Sequence, residues 1–166
     1  KPLALLVPER SRASHANELI RRCTFLTDDR VLFGEQFRTA LGITTLKRLD
    51  LDFIVGIHFP YILPTEVLAI PNKGILNLHP AYLPYNRGWH TPSWAILENT
   101  PIGATLHFMD AGIDTGDIVH QKKLDVSLYD TADTLYQRLK SLEFKVFKEV
   151  WPKILAGTFS RRPQKP

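Results

Sequence analysis

An amide, an imidazole and a carboxylate are offered by two short stretches, Asn77-Leu78-His79-Pro80 and Gly112-Ile113-Asp114-Thr115-Gly116. Asn77 and His79 are two residues apart, so on a strand they point to one face. Pro80 cannot donate to a sheet ladder and stops the strand there. Ligands of α/β sheets bind at such strand ends. Asp114 lies in a Gly-flanked loop that can reach them. Acyl transfer to an amine needs these three parts. The oxygen that gains negative charge needs a hydrogen-bond donor. A histidine can take the proton from the amine and return one to the leaving nitrogen at neutral pH. A carboxylate holds the ring and stabilises the imidazolium.

The elements that must position these groups follow from the hydrophobic pattern. Leu3 to Val7 is a continuous apolar run ended by Pro8 and reads as a buried strand. Weak helical character from His15 to Arg22 follows. Phe33 to Leu41 predicts a short helix stopped by Gly42, and Thr44 to Leu49 another. A buried strand is predicted over 52–57, then a helix opened by Pro64 and ended by Pro71. Gly74 to Leu78 is the strand carrying Asn77, and 81–90 is a loop. Thr91 caps a helix with Pro92 at its first position, its inner side packed by Trp94, Ile96 and Leu97. Ile102 to Phe108 reads as a strand, 110–116 as a loop and Ile118-Val119 as a strand. From Asp130 the pattern is helical, with Leu135, Leu139, Leu142, Val146, Val150 and Ile154 as one apolar stripe. Pro152 marks its last turns and Gly157 closes it. Trp94 and Trp151 read as core. Strands alternating with helices predict a three-layer α/β domain with a mostly parallel sheet.

The bulk properties bound the function. The chain has 166 residues and a formal charge of +4, enough for one domain with a real core. Lys140, Lys145, Lys148 and Lys153 share a segment with Glu143 and Glu149, which reads as a solvated helix face; Arg161, Arg162 and Lys165 form the one basic cluster. Cys23 is the single cysteine, which fits a reducing compartment, and no apolar run approaches the ~20 residues of a membrane span. A cytoplasmic protein with no membrane partner is expected. His79, His107 and Asp114 suit zinc in principle, yet no His-x-x-x-His or Cys pair supports it, and no metal is expected.

Asn77-Leu78-His79-Pro80, Leu83-Pro84, Arg87-Gly88, His107-Phe108-Met109 and Ile113-Asp114-Thr115-Gly116-Asp117-Ile118 together resemble the signature of N10-formyltetrahydrofolate-dependent formyltransferases. The resemblance is specific over 52–120 and extends through the terminal helix. It implies a Rossmann-like fold. It also implies that Asn77 polarises the formyl oxygen, His79 handles the proton and Asp114 orients and tunes the site. Phe59, Tyr61, Ile62 and Leu63 match the family's loop beside the folate ring, and Met109, Asp110 and Ile113 its second wall, mostly through main chain. Lys1 to Glu9 looks like the second strand of that fold, so the first strand–helix unit is expected to lie outside these residues. Residues 1–157 then form the catalytic domain and 158–166 a basic tail.

The stretch from Arg87 to Trp94 resembles nucleotide-sugar formyltransferases, with Arg87 and His90 as candidate acceptor contacts. The resemblance therefore implies a nucleotide-linked amino sugar as the amine substrate. Methionyl-tRNA is the alternative; those enzymes usually carry a small residue where Pro80 stands. A hydrolase releasing formate from the same donor and a non-catalytic folate-binding domain stay open, as does a homodimer. His107, between Leu106 and Phe108, reads either as a core histidine or as a support of the site. Asp110 reads chiefly as a loop residue. His15, His58 and His120 carry no functional reading.

Overall fold

A computed structural model describes residues 1–9 and 16–165. Two units are distinguished: residues 1–54 with 59–74, and residues 55–58 with 75–166.

In the first unit, β1 (Leu5–Val7) and β2 (Val31–Phe33) pair in parallel, with α1 (Ala16–Arg22) in the connection. A helical crossover is what joins parallel neighbours. The expected helix over 33–41 is not formed. Phe33 ends β2, Gly34 turns the chain at φ 55°, and Gln36–Arg38 make one 3₁₀ turn. The helix α2 (Ala40–Arg48) starts after Thr39, whose Oγ1 accepts the Gly42 N–H at 3.1 Å. Gly42 therefore lies inside α2 and does not stop a preceding helix. Its lack of a side chain answers a packing demand: a Cβ there would lie 2.0 Å from the Gln36 carbonyl oxygen. α3 (Thr65–Leu68) follows Pro64 as expected.

A four-stranded sheet, all but Ile54 of it in the second unit, runs in the order β3 (Ile54–Ile57), β4 (Ile75–His79), β5 (Gly103–Phe108) and β6 (Ile118–Lys123). The α/β class stands, with the parallel pair β1–β2 in one sheet and antiparallel pairs in the other, where a mostly parallel sheet was expected. β4–β5 and β5–β6 are antiparallel. The connection 109–117 is too short for a parallel crossover, which takes a dozen residues or more. β5 is buried along its whole length.

The helix α5 (Ala132–Leu155) begins with a capping box: Thr131 Oγ1 accepts the Thr134 N–H and Thr134 Oγ1 accepts the Thr131 N–H. Its buried stripe is Leu135, Leu139, Glu143, Val146, Val150 and Ile154. The stripe runs through Glu143, not Leu142, and Glu143 is not on the solvated face expected of it. Its carboxyl group is buried and meets His58 Nε2 at 2.7 Å, a partner that satisfies the buried polar group. Gly157 closes the helix at φ 68°.

α4 (Thr91–Leu97) also departs from expectation. Its buried residues are the small Thr91 and Ala95, while Trp94, Ile96 and Leu97 are 51%, 56% and 76% exposed. Trp151 is half-buried, not core. His90, in the left-handed region at φ 56°, occupies the cap position given to Thr91, and Thr91 Oγ1 instead donates to the Pro80 carbonyl at 2.5 Å. No described helix is long and apolar enough to cross a membrane.

Candidate active site

β4 carries Asn77 and His79 to its C-terminal end. The antiparallel register sets Asn77 opposite His107 and His79 opposite Thr105 on β5. Alternation of side chains then gathers Asn77, His79 and His107 on one face, and the rings of the two histidines meet edge-on with centroids 6.0 Å apart.

Asp114 arrives from the β5–β6 connection. It adopts φ 52°, a left-handed conformation that Asp tolerates. The glycines around it answer close approaches. A Cβ on Gly116 would lie 2.0 Å from the Phe108 carbonyl oxygen, and one on Gly112 2.1 Å from Thr115 Oγ1. Asp110 pins the same loop: its Oδ1 accepts the Gly112 N–H at 3.0 Å and the Thr115 hydroxyl at 2.6 Å. Its carboxylate serves its own loop, which agrees with the loop reading.

The carboxylate of Asp114 lies at the centre. Its Oδ2 is 3.6 Å from His79 Nε2 and accepts the Gly88 N–H at 2.9 Å. Its Oδ1 is 3.4 Å from His107 Nε2 and accepts from Asn77 Nδ2 at 3.3 Å. Burial pushes its pKa up. The His107 hydrogen bond, the His79 charge and the Gly88 N–H outweigh that and leave it at about 2. It is an anion throughout the physiological range. His107 Nδ1 donates to the Phe108 carbonyl at 2.7 Å, so Nε2 is the nitrogen facing Asp114. Burial lowers the pKa of His79, and the nearby Asp114 charge opposes the shift. His79 is thus neutral at pH 7, beside a carboxylate able to stabilise the charged ring.

The remaining expected residues fall into three groups. Phe59, Tyr61, Ile62 and Leu63 belong to the first unit. There Phe59 and Tyr61 stack edge to face at 5.4 Å and both contact Phe37. Leu63 is buried and Ile62 exposed, the Ile62 carbonyl accepting from Arg38 at 2.6 Å. Met109 uses its N–H on the Ile75 carbonyl at 2.8 Å, and Ile113 is exposed. Arg87 and His90 are exposed, and the Arg87 guanidinium donates to Gln164 Oε1 through Nε (3.2 Å) and Nη2 (2.8 Å).

Sequence reading left His107 undecided and did not single out Gln164. For His107 the signal was register: it pairs with Asn77 across the ladder. For Gln164 no local pattern exists. The residues after 157, read as a basic tail, are bonded into the second unit: Arg162 and Ile118 exchange backbone hydrogen bonds of 2.8 and 2.9 Å, and Phe159 lies against Phe108.

Comparison with known proteins gives a family match, formyl transferase, over residues 28–151. Among curated proteins, the methionyl-tRNA formyltransferases of Acetivibrio thermocellus and Geobacter sulfurreducens are 36% and 34% identical over 135 residues, 81% of this chain. The chain spans 43% of the length of each. Among solved structures, the formyltransferase PseJ from Anoxybacillus kamchatkensis, in complex with UDP-4,6-dideoxy-4-formamido-L-AltNAc and tetrahydrofolate, is 28% identical with a TM-score of 0.72. That match covers 96% of this chain and 80% of PseJ. Phosphoribosylglycinamide formyltransferase from Bacillus halodurans is 25% identical, with a TM-score of 0.76 over 93% of this chain and 81% of its own.

Proposed function

Since the chain belongs to the formyl transferase family, we propose that it transfers a formyl group from N10-formyltetrahydrofolate to a primary amine. The observation that carries the reading is the convergence of Asn77, His79 and Asp114, with His79 Nε2 3.6 Å and Asn77 Nδ2 3.3 Å from the two oxygens of one carboxylate.

The folate supplies the formyl carbon and a leaving nitrogen. Asn77 Nδ2 donates to the formyl oxygen as negative charge builds there. Its present partners are long, 3.3 Å to Asp114 and 3.4 Å to His107, so little is lost when it turns to a better acceptor. The imidazole of His79, neutral at pH 7, takes a proton from the attacking amine and delivers one to the leaving nitrogen. Asp114, fixed as an anion, stabilises the imidazolium between those events. The 109–113 main chain of the second unit is of the chemistry that lines a flat heteroaromatic ring and would do so here.

For the acceptor we propose a nucleotide-linked amino sugar, contacted by Arg87 and His90. The similarity to PseJ, bound to a formamido sugar nucleotide, supports it. Methionyl-tRNA is the second reading, favoured by the 36% identity to enzymes named for it. Donor consumption by the intact protein, measured with nucleotide-linked amino sugars, methionyl-tRNA and glycinamide ribonucleotide side by side, decides between them. Turnover is expected with the amino sugars. Formate release without any amine would make the protein a hydrolase, and folate binding with no turnover of any acceptor would make it a binding domain; either outcome rejects the transferase reading.

A further inference from the structure

We infer that Gln164 is a positioning residue for the Asp114 loop, tying it to the Arg87–Gly88 loop through the two ends of one side-chain amide. The inference rests on the formyl-transfer reading of the site.

Three observations lead to it. Of residues 160–165, all but Gln164 are exposed; Gln164 is turned inward. Its Nε2 donates to the carbonyls of Asp114 and Gly116, both at 2.8 Å, and its Oε1 accepts twice from Arg87. The orientation of the amide is settled by its partners. Carbonyl oxygens only accept and a guanidinium only donates, so nitrogen faces the loop and oxygen faces Arg87. The connection also closes a ring. Gly88, next to Arg87, donates its N–H to Asp114 Oδ2 at 2.9 Å. The loop bearing the carboxylate is thus tied to residues 87–88 twice, once through Gly88 and once through Gln164.

Asp114 needs such support. It sits at φ 52° in an irregular connection, and its carboxylate must stay in register with His79, Asn77 and His107 at once. Backbone pairing of Arg162 with Ile118 at the start of β6 delivers Gln164 to this place. A side chain of this reach with a donor and an acceptor on one head is glutamine. Glutamate can still accept from Arg87, but it sets a carboxylate against two carbonyl oxygens.

The test compares Gln164→Ala and Gln164→Glu with the unaltered full chain. The readouts are kcat and KM for the amine, and hydrogen exchange over 110–118. Both variants are expected to lower kcat by about 10- to 100-fold, the cost of misplacing a catalytic group, with KM changed less and exchange over 110–118 faster. Retained kcat in Gln164→Glu would show that only the Arg87 contact matters and would overturn the proposal. Unchanged kcat or unchanged exchange in Gln164→Ala would overturn it as well. If the unaltered protein transfers formyl to no acceptor, the formyl-transfer reading fails, while exchange over 110–118 still decides whether Gln164 holds the loop.

Discussion

Asp114 Oδ2 lies 3.6 Å from His79 Nε2, within reach of the ring whether or not the ring is charged. That relationship sets the pH behaviour. His79 is faced by Asp114, by the edge of His107, by the Asn86 carbonyl and, further off, by His58, which is paired with Glu143. Burial lowers its pKa below 6.5 and Asp114 works against that shift. The acid limb of kcat/KM should therefore have its midpoint below pH 6.5. In Asp114→Asn the opposing charge is gone, so the midpoint should move lower still. The His79 ring signal in a pH titration by NMR gives the same constant independently of turnover. A midpoint that rises in Asp114→Asn would reject this account of the site.

The same carboxylate links stability to pH. Its pKa in the fold, about 2, lies below the ordinary 3.8. The unfolded chain therefore binds the proton first as pH falls. The contribution is full above about pH 4 and is lost as pH drops toward 2. Denaturant midpoints measured from pH 6 to pH 2 should fall less steeply in Asp114→Asn than in the unaltered protein.

His79→Ala should lower turnover by about 100-fold or more, the contribution of a positioned proton carrier. Steady-state kinetics on the folded variant measures it. Turnover equal to that of the unaltered protein removes His79 from the proton role.

Gly116→Ala should damage the site without touching a reacting group. The added Cβ would start 2.0 Å from the Phe108 carbonyl oxygen, which belongs to buried backbone and cannot swing away. Either the strand or the Asp114 loop must shift, so both Tm and kcat should fall. Gly157→Ala, where a Cβ meets nothing within 4 Å but φ is 68°, should lower Tm alone.

Thr105→Val keeps the shape of a fully buried side chain and removes its hydroxyl. Thr105 Oγ1 donates to the Ala81 carbonyl at 2.7 Å and accepts the Leu83 N–H at 3.2 Å. Two buried backbone groups would lose their partner, at a cost of about 1–3 kcal/mol. Thermal unfolding should show a Tm lower by several degrees.

Much of this site was written locally. Asn77 and His79 share a face because a strand repeats every two residues, and β4 ends at His79. The long helix was equally legible, since its apolar residues recur from Leu135 to Ile154 and its start carries a cap. Local signals failed where distant backbone decided the outcome. Gly42 reads as a stop signal, yet it is a contact point for Gln36. Glu143 sits among lysines in the sequence and reads as solvated. It is buried because the face of α5 that meets the sheet includes it, and because His58, far away in the chain, is there to pair with it.

The amino-acid sequence by itself determined which groups are available for chemistry and that two of them lie on one strand face, because strand periodicity is a property of neighbouring residues. Only the tertiary structure decided that Asp114 bridges His79 and His107, and that Gln164 holds its loop. Those contacts depend on cross-strand register and on where the chain returns after α5, and neither is encoded within a few residues of the groups it brings together.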